Sequence, residues 1–156
     1  MLKLRKNKKG FTLVELIVVI AIMAVLAGTI AGVTVSQLNK QTDKTMATEA
    51  KGIADFISTW IIENNIDLTT TADLAAVKDS DNTTLIQALQ KQYGTDKVGE
   101  DAVAGKTIGV SFVAGQTNNT ADTTKNVIKV EYKGKQRSGG GVSYTVNVEG
   151  VVAKGE

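Results

Sequence analysis

The chain has 156 residues and contains no cysteine, no histidine and no proline. Without cysteine, no disulfide frames a small exported domain and no thiol chemistry is available. With histidine also missing, the usual zinc ligands and nucleophile–base pairs are absent. No catalytic constellation, metal centre or cofactor is therefore expected. Acids are missing from the first ten residues, which carry five cations: Lys3, Arg5, Lys6, Lys8 and Lys9. The formal net charge of +2 depends on that leader: without it, thirteen cations face sixteen acids, a net of −3. A mildly acidic remainder argues against a dominant nucleic-acid-binding surface.

Beyond the leader lies an almost unbroken apolar run, Phe11 to Val35. It holds fifteen Phe, Leu, Val, Ile or Met side chains. Burying each is worth roughly 1.5–3 kcal/mol, so up to about 22–45 kcal/mol separates them from water. Such a helix has to lie in lipid or among other apolar helices. The run is 25 residues long, well beyond the h-region of a secretory signal, and Ala24 and Ala27 have the wrong spacing for a small-x-small cleavage site. It is long enough to span a bilayer as a signal anchor. The basic flank would hold the N-terminus in the cytoplasm, placing everything after Val35 outside. One residue does not fit a plain anchor. Glu15 lies just inside the helix, and a carboxyl group at membrane depth costs roughly 2.5–3.5 kcal/mol on insertion scales. It needs a partner.

Lys9-Gly10 followed by Phe11-Thr12-Leu13-Val14-Glu15-Leu16 and a long apolar helix resembles the type IV pilin family, which includes the pseudopilins of secretion and competence systems. The resemblance is strong over about Lys8 to Ala27. It implies cleavage by a prepilin peptidase between Gly10 and Phe11, N-methylation of the new Phe11 amine, and an assembly role for Glu15. It also implies a homopolymeric filament, an inner-membrane assembly platform and an assembly ATPase, with membrane lipid as the partner before assembly. The chemistry suits those residue types. Gly10 lets a peptidase approach the scissile bond closely, and cleavage creates a cationic amine one helical turn from Glu15. The amine of a neighbouring subunit neutralises the acid when subunits stack with an axial stagger, so a buried charge selects register. The function implied is a structural subunit, a major pilin, of a type IV pilus. The alternatives are a pseudopilin of a type II secretion or competence system, or a non-polymerising membrane-anchored extracellular binding module. The missing cysteines depart from the disulfide-closed C-terminal loop of many pilins.

Gly28 and Gly32 form a small-xxx-small face with Ala24, which allows close helix packing; they are also the nearest softening residues in a region where many pilins carry proline. After Val35 the pattern turns amphipathic with no breaker. Met46, Ala50, Ile53, Ala54, Ile57, Trp60 and Ile61 fall on one helical face. Asn64-Asn65 supplies a stop. One continuous helix is predicted over about Phe11 to Asn64, on the order of 80 Å long. The expected organisation is a cleaved leader over 1–10, a membrane or filament-core helix over 11–35, an amphipathic continuation over 36–64 and a head over 65–156. The fold class is α+β, a long N-terminal helix packed by its second half against a small antiparallel sheet.

Within the head, Thr71 is expected to cap a helix over Ala72–Lys78. Asn82 or Thr83 is expected to cap a second through Leu85, Leu89 and Tyr93, stopping at Gly94. Alternating patterns predict strands over Ile108–Phe112, Ile128–Tyr132 and Val142–Val148. The stretches Gly115–Lys125 and Gly134–Gly141 read as surface loops. Lys133, Lys135 and Arg137 offer a contact for DNA or an anionic host surface, but solvated hairpin charges explain them more simply. Asp79, Asp81 and Asn82 resemble the start of a calcium loop and lack its glycine and bidentate glutamate. Asn82 and Asn118 begin N-x-T sequons, and Gly139-Gly140-Gly141 lacks the context of a phosphate cradle.

Overall fold

The structure is a computed structural model that describes residues 10–103, 107–135 and 140–155, without the side chains of residues 31 and 32. Helix α1 runs Leu13–Glu63. It starts two residues later than the periodicity suggests, because Thr12 serves as its cap, and ends one residue earlier. Its C-terminus is a Schellman closure. Asn65 takes a left-handed φ of 52°, the Ile66 amide reaches back to the Ile61 carbonyl at 3.0 Å, and the Asn65 amide reaches Ile62 at 3.2 Å. Asparagine tolerates that conformation, so the stop is written in the sequence.

Two compact units divide the chain between Leu38 and Asn39. The first consists, among the described residues, of the N-terminal part of α1. Its apolar side chains are exposed all round, among them Leu16, Ile20, Met23 and Ile30. The threonines in this stretch return their hydroxyls to the helix: Thr29 donates to the Leu26 carbonyl at 3.0 Å and Thr34 to Ile30 at 2.9 Å. A polar side chain satisfied by its own backbone can face an apolar medium.

The second unit holds the head together with the C-terminal part of α1. Its strands are β1 (Val98–Gly99), β2 (Ile108–Val113), β3 (Gln116–Thr117), β4 (Thr120–Ala121), β5 (Val127–Tyr132), β6 (Val142–Asn147) and β7 (Val152–Lys154). Five of them form one sheet in the order β1-β2-β5-β6-β7. Its central pairs are antiparallel, with Val110 opposite Val130 and Ile128 opposite Val146. These side chains bury against Ala50, Ile53, Ala54, Ile57, Trp60 and Ile61 of α1. The apolar face legible in the helix and the alternation legible in the strands thus meet in one core. The fold is α+β, a long helix on a small open sheet.

Several local expectations need correction. The expected helix over Ala72–Lys78 is a single 3-10 turn, Leu74–Ala76, capped by Asp73 rather than Thr71. The chain turns extended at Val77, which is buried and whose carbonyl accepts from the Leu85 amide at 2.9 Å. The next helix, α2 (Leu85–Tyr93), is capped by Thr84, not by Asn82 or Thr83, because Gln87 lies three residues on and completes a capping box. Gly94 does end it, with φ 100°. The sheet is antiparallel except at β1, a two-residue strand that pairs parallel to β2. The loop Gly115–Lys125 contains the small β3–β4 hairpin, turned by Asn118 and Asn119, both with positive φ. Strand β6 stops at Asn147, one residue short, because the Asn147 Oδ1 accepts from the Glu149 and Val151 amides and starts a turn. Strand β7, three residues long, carries no alternation long enough to read.

Candidate functional site

The residues singled out for processing and assembly lie together at the start of α1. Gly10 is exposed, and a Cβ built on it would meet no other atom within 4 Å. Phe11 is 92% exposed. Both are open to a large partner; Lys8 and Lys9 lie outside the described residues. Glu15 sits in the first turn of the helix, where unpaired amides and the aligned peptide dipoles favour a negative charge.

Its carboxyl group is already engaged. Oε2 accepts from the Thr12 amide and from the Thr12 hydroxyl, both at 2.8 Å, while the Glu15 amide donates to Thr12 Oγ1 at 3.3 Å. This is a reciprocal capping box. The sequence reading missed it, although the Thr-x-x-Glu spacing that signals it is plain. Glu15 is therefore satisfied within its own chain, through one oxygen, before any neighbour arrives. Gly28 lies in unbroken helix with open space where a side chain would be, and Gly32 lies in the same helix. Among the described residues, one helix is long and apolar enough to cross a membrane, and it is this one.

The remaining candidates fall elsewhere. Asp79 Oδ1 accepts from the Asp81 and Thr83 amides at 2.9 and 2.8 Å, so this carboxyl closes its own loop. Lys133 and Lys135 are exposed, and Arg137 and Gly139 lie outside the described residues. The residue that sequence reasoning passed over is Asp43, a polar position on α1 that the structure buries to 6% exposure. Its Oδ1 accepts from the Tyr132 hydroxyl and the Lys135 amide, each at 2.8 Å. Gly140 packs so close to Oδ2 that a Cβ there would lie 2.3 Å away. Nothing in the local pattern marks Asp43, because its donors come from about ninety residues away.

Residues 5–31 match the prokaryotic N-terminal methylation motif. Over 145 residues the chain is 30% identical to the type IV major fimbrial protein FimA of Dichelobacter nodosus, covering 92% of this chain and 79% of that protein. The chain belongs to the type IV pilin family. No solved structure matches it. As a pilin-family chain it is a structural subunit built on an N-terminal hydrophobic helix, not an enzyme. The exposed apolar stretch of α1 holds it in the membrane before assembly, and after assembly it is part of an extracellular filament.

Proposed function

We propose that this pilin is the main-body subunit of a long type IV pilus. In this reading a prepilin peptidase cuts between Gly10 and Phe11, the Phe11 amine is methylated, and an inner-membrane platform with its ATPase drives assembly. Residues 11–35 form the filament core, residues 36–64 carry the head over 65–156, and Gly28 and Gly32 give close packing or give way under load. Glu15 sets the register by pairing with the Phe11 amine of a neighbour. The observation that carries the reading is the placing of a single acid in the first turn of α1, in a stretch otherwise apolar to Val35, beside an open Gly10–Phe11 junction. Similarity to a protein named as a major fimbrial subunit favours a long pilus over a short pseudopilus.

The capping box makes the test sharper. An N-cap interaction is worth about 1 kcal/mol, and glutamine serves at its third position as well as glutamate does. An unpaired charge in an apolar core is worth several times more. Glu15→Gln keeps the cap and removes the charge. Both Glu15→Gln and Glu15→Ala are expected to be processed normally, with methylated Phe11 at the N-terminus by mass spectrometry, and to yield filaments reduced at least ~10-fold in sheared fractions. Wild-type filament yield from Glu15→Gln would reduce Glu15 to a helix cap. An N-terminus still at Met1 in working protein would point instead to a plain membrane anchor. Electron microscopy showing only short fibres would make the chain a pseudopilin.

A further inference from the structure

Four lysines, drawn from α1, β7 and the segment after β5, line one trough. Lys40 and Lys44 lie one turn apart on α1, and with Lys154 of β7 they line a groove of about 470 Å³ beside Tyr144. A second groove shares Gly141, Val142 and Lys154 with the first and adds Lys133. All four lysines are exposed, and among the described residues none of them makes an ion pair. The acids nearby are already engaged. Asp43 is buried, with its Oδ1 bound to the Tyr132 hydroxyl and the Lys135 amide. Glu49, the next acid along α1, pairs with Lys97 at 3.1 Å, and Glu131 of the second groove pairs with Lys129 at 3.3 Å. Four cations thus face outward over one buried carboxyl group. The surface is local: residues 39–156 carry thirteen cations against fifteen acids, the sixteen of the chain less Glu15.

The place of these lysines in the chain names their partner. Lys40 follows Val35, the end of the apolar run, by five residues. Five residues reach at most about 18 Å even fully extended. The run itself is 25 residues, which as helix gives about 37 Å against a hydrocarbon core of about 30 Å, so its end reaches the headgroup layer. We propose that, before assembly, this trough binds the phosphate headgroup of an anionic phospholipid at the outer face of the membrane that holds the chain. The tether selects this occupant. An anchored chain meets headgroups at an effective concentration that a soluble anion has to be recruited to match. The net negative charge of the head does not oppose the contact, because charges beyond about 8 Å are screened at physiological ionic strength and the nearest lysines decide. Each lysine at an anionic surface strengthens attachment about fivefold. Tyr144, half-buried in the same groove, is a residue type that settles at the membrane–water interface. The contact holds the head of a waiting subunit down and is given up when the chain leaves the membrane.

The inference rests on membrane anchoring and not on the long-pilus reading, so its failure leaves that reading standing. The test acylates the full chain, returned from detergent to lipid vesicles, with an uncharged N-hydroxysuccinimide ester and follows each lysine by mass spectrometry. In vesicles of phosphatidylcholine with phosphatidylglycerol, Lys40, Lys44 and Lys154 are expected to react at least ~3-fold more slowly than in phosphatidylcholine alone. Lys78 and Lys91, exposed and outside both grooves, are expected to keep their rates. Lys154→Gln is expected to return part of the reactivity of Lys40, since the headgroup loses one of its ligands. Equal rates in the two kinds of vesicle overturn the proposal. So does slowing of Lys40 and Lys44 without Lys154, which reports only that α1 emerges beside the membrane. Slowing by inorganic phosphate or by DNA in phosphatidylcholine vesicles, with none from phosphatidylglycerol, gives the trough to a soluble anion and overturns the lipid assignment. Should Lys154→Gln not accumulate, the pattern in the unaltered chain decides.

Discussion

A carboxyl group inside a head core has to be met by donors, and Asp43 draws two of them onto one oxygen. The phenol of Tyr132 is 1% exposed and donates to Asp43 at 2.8 Å. Burial first, then the hydrogen bond and the charge of Asp43, push that phenol from 10.0 up to about 12. The raised value sets the sign. The folded head holds the proton more tightly than the unfolded chain does, so the stabilisation is complete below pH 10. It is lost progressively as pH rises through about 12. Tyr132→Phe removes the titrating group. The variant is expected to be less stable at pH 8, because Asp43 loses a donor, yet to show a shallower loss of stability between pH 10 and 12 than the unaltered protein. Fluorescence of Trp60, the single tryptophan and a member of the head core, reports the unfolding of protein held in detergent. Identical alkaline slopes for the two proteins would mean that folding does not raise the Tyr132 phenol. At the same scale, Glu15 shows how one side chain can answer two needs. Its capping box satisfies the isolated helix, and its charge remains available to a cation from outside.

At the level of elements, the head depends on joints as well as on its sheet. Asn126 is 2% exposed. Its Nδ2 donates to the Leu68 carbonyl at 2.8 Å, and its Oδ1 accepts from the Gly115 amide at 3.0 Å. It therefore ties the segment after α1 to both ends of the β3–β4 excursion. Asn126→Ala strands the buried Gly115 amide and leaves the Leu68 carbonyl only the longer bond from the Thr71 amide at 3.4 Å, and is expected to cost about 1–3 kcal/mol in urea unfolding. Asn126→Asp keeps the acceptor but sets a buried charge against the Leu68 carbonyl, so it should be at least as destabilising as Asn126→Ala. Equal stability of all three proteins would show that water replaces the joint. Such joints explain which elements could be read in advance. Long periodic segments announce themselves: the Ala50-to-Ile61 stripe of α1 and the alternation of β5 are written in consecutive residues. Caps were legible in kind but slipped by one or two positions, since Asp73 and Thr84 compete with equally good neighbours. Strands of two or three residues, β1 and β7 above all, owe their existence to a partner strand and carry no periodicity of their own. Gly109 makes the same point. It reads as the polar half of an alternation, but it is buried, and a Cβ there would lie 2.4 Å from the Ala102 amide nitrogen.

Over the whole molecule the decisive quantity is the charge that the proposed processing would change. The N-terminal motif was legible because its residues are contiguous. The groove beside β7 was not, because Lys40 and Lys154 are brought together only by the fold of the head. The leader carries five of the eighteen cations and none of the sixteen acids. The proposed cleavage at Gly10–Phe11 would therefore take the formal charge from +2 to −3, apart from the new terminal amine. N-methylation leaves that amine basic, so it does not alter the direction. Protein recovered from cells lacking the peptidase should focus above neutral pH, and filament protein should focus below it. The sign of this change has a consequence for assembly. The leader's cations favour the cytoplasmic face of the membrane, and their proposed removal would leave heads of like net charge outside. Close packing of such heads then depends on local complementarity rather than on net attraction. Filaments should accordingly be steadied by moderate salt, which screens the net repulsion over about 8 Å at 0.15 M, and weakened at molar salt, where local attractions between unlike charges are screened as well. Light scattering of purified filaments across a salt series measures this. A monotonic loss of filaments from the lowest salt upward would mean that net repulsion between heads is unimportant.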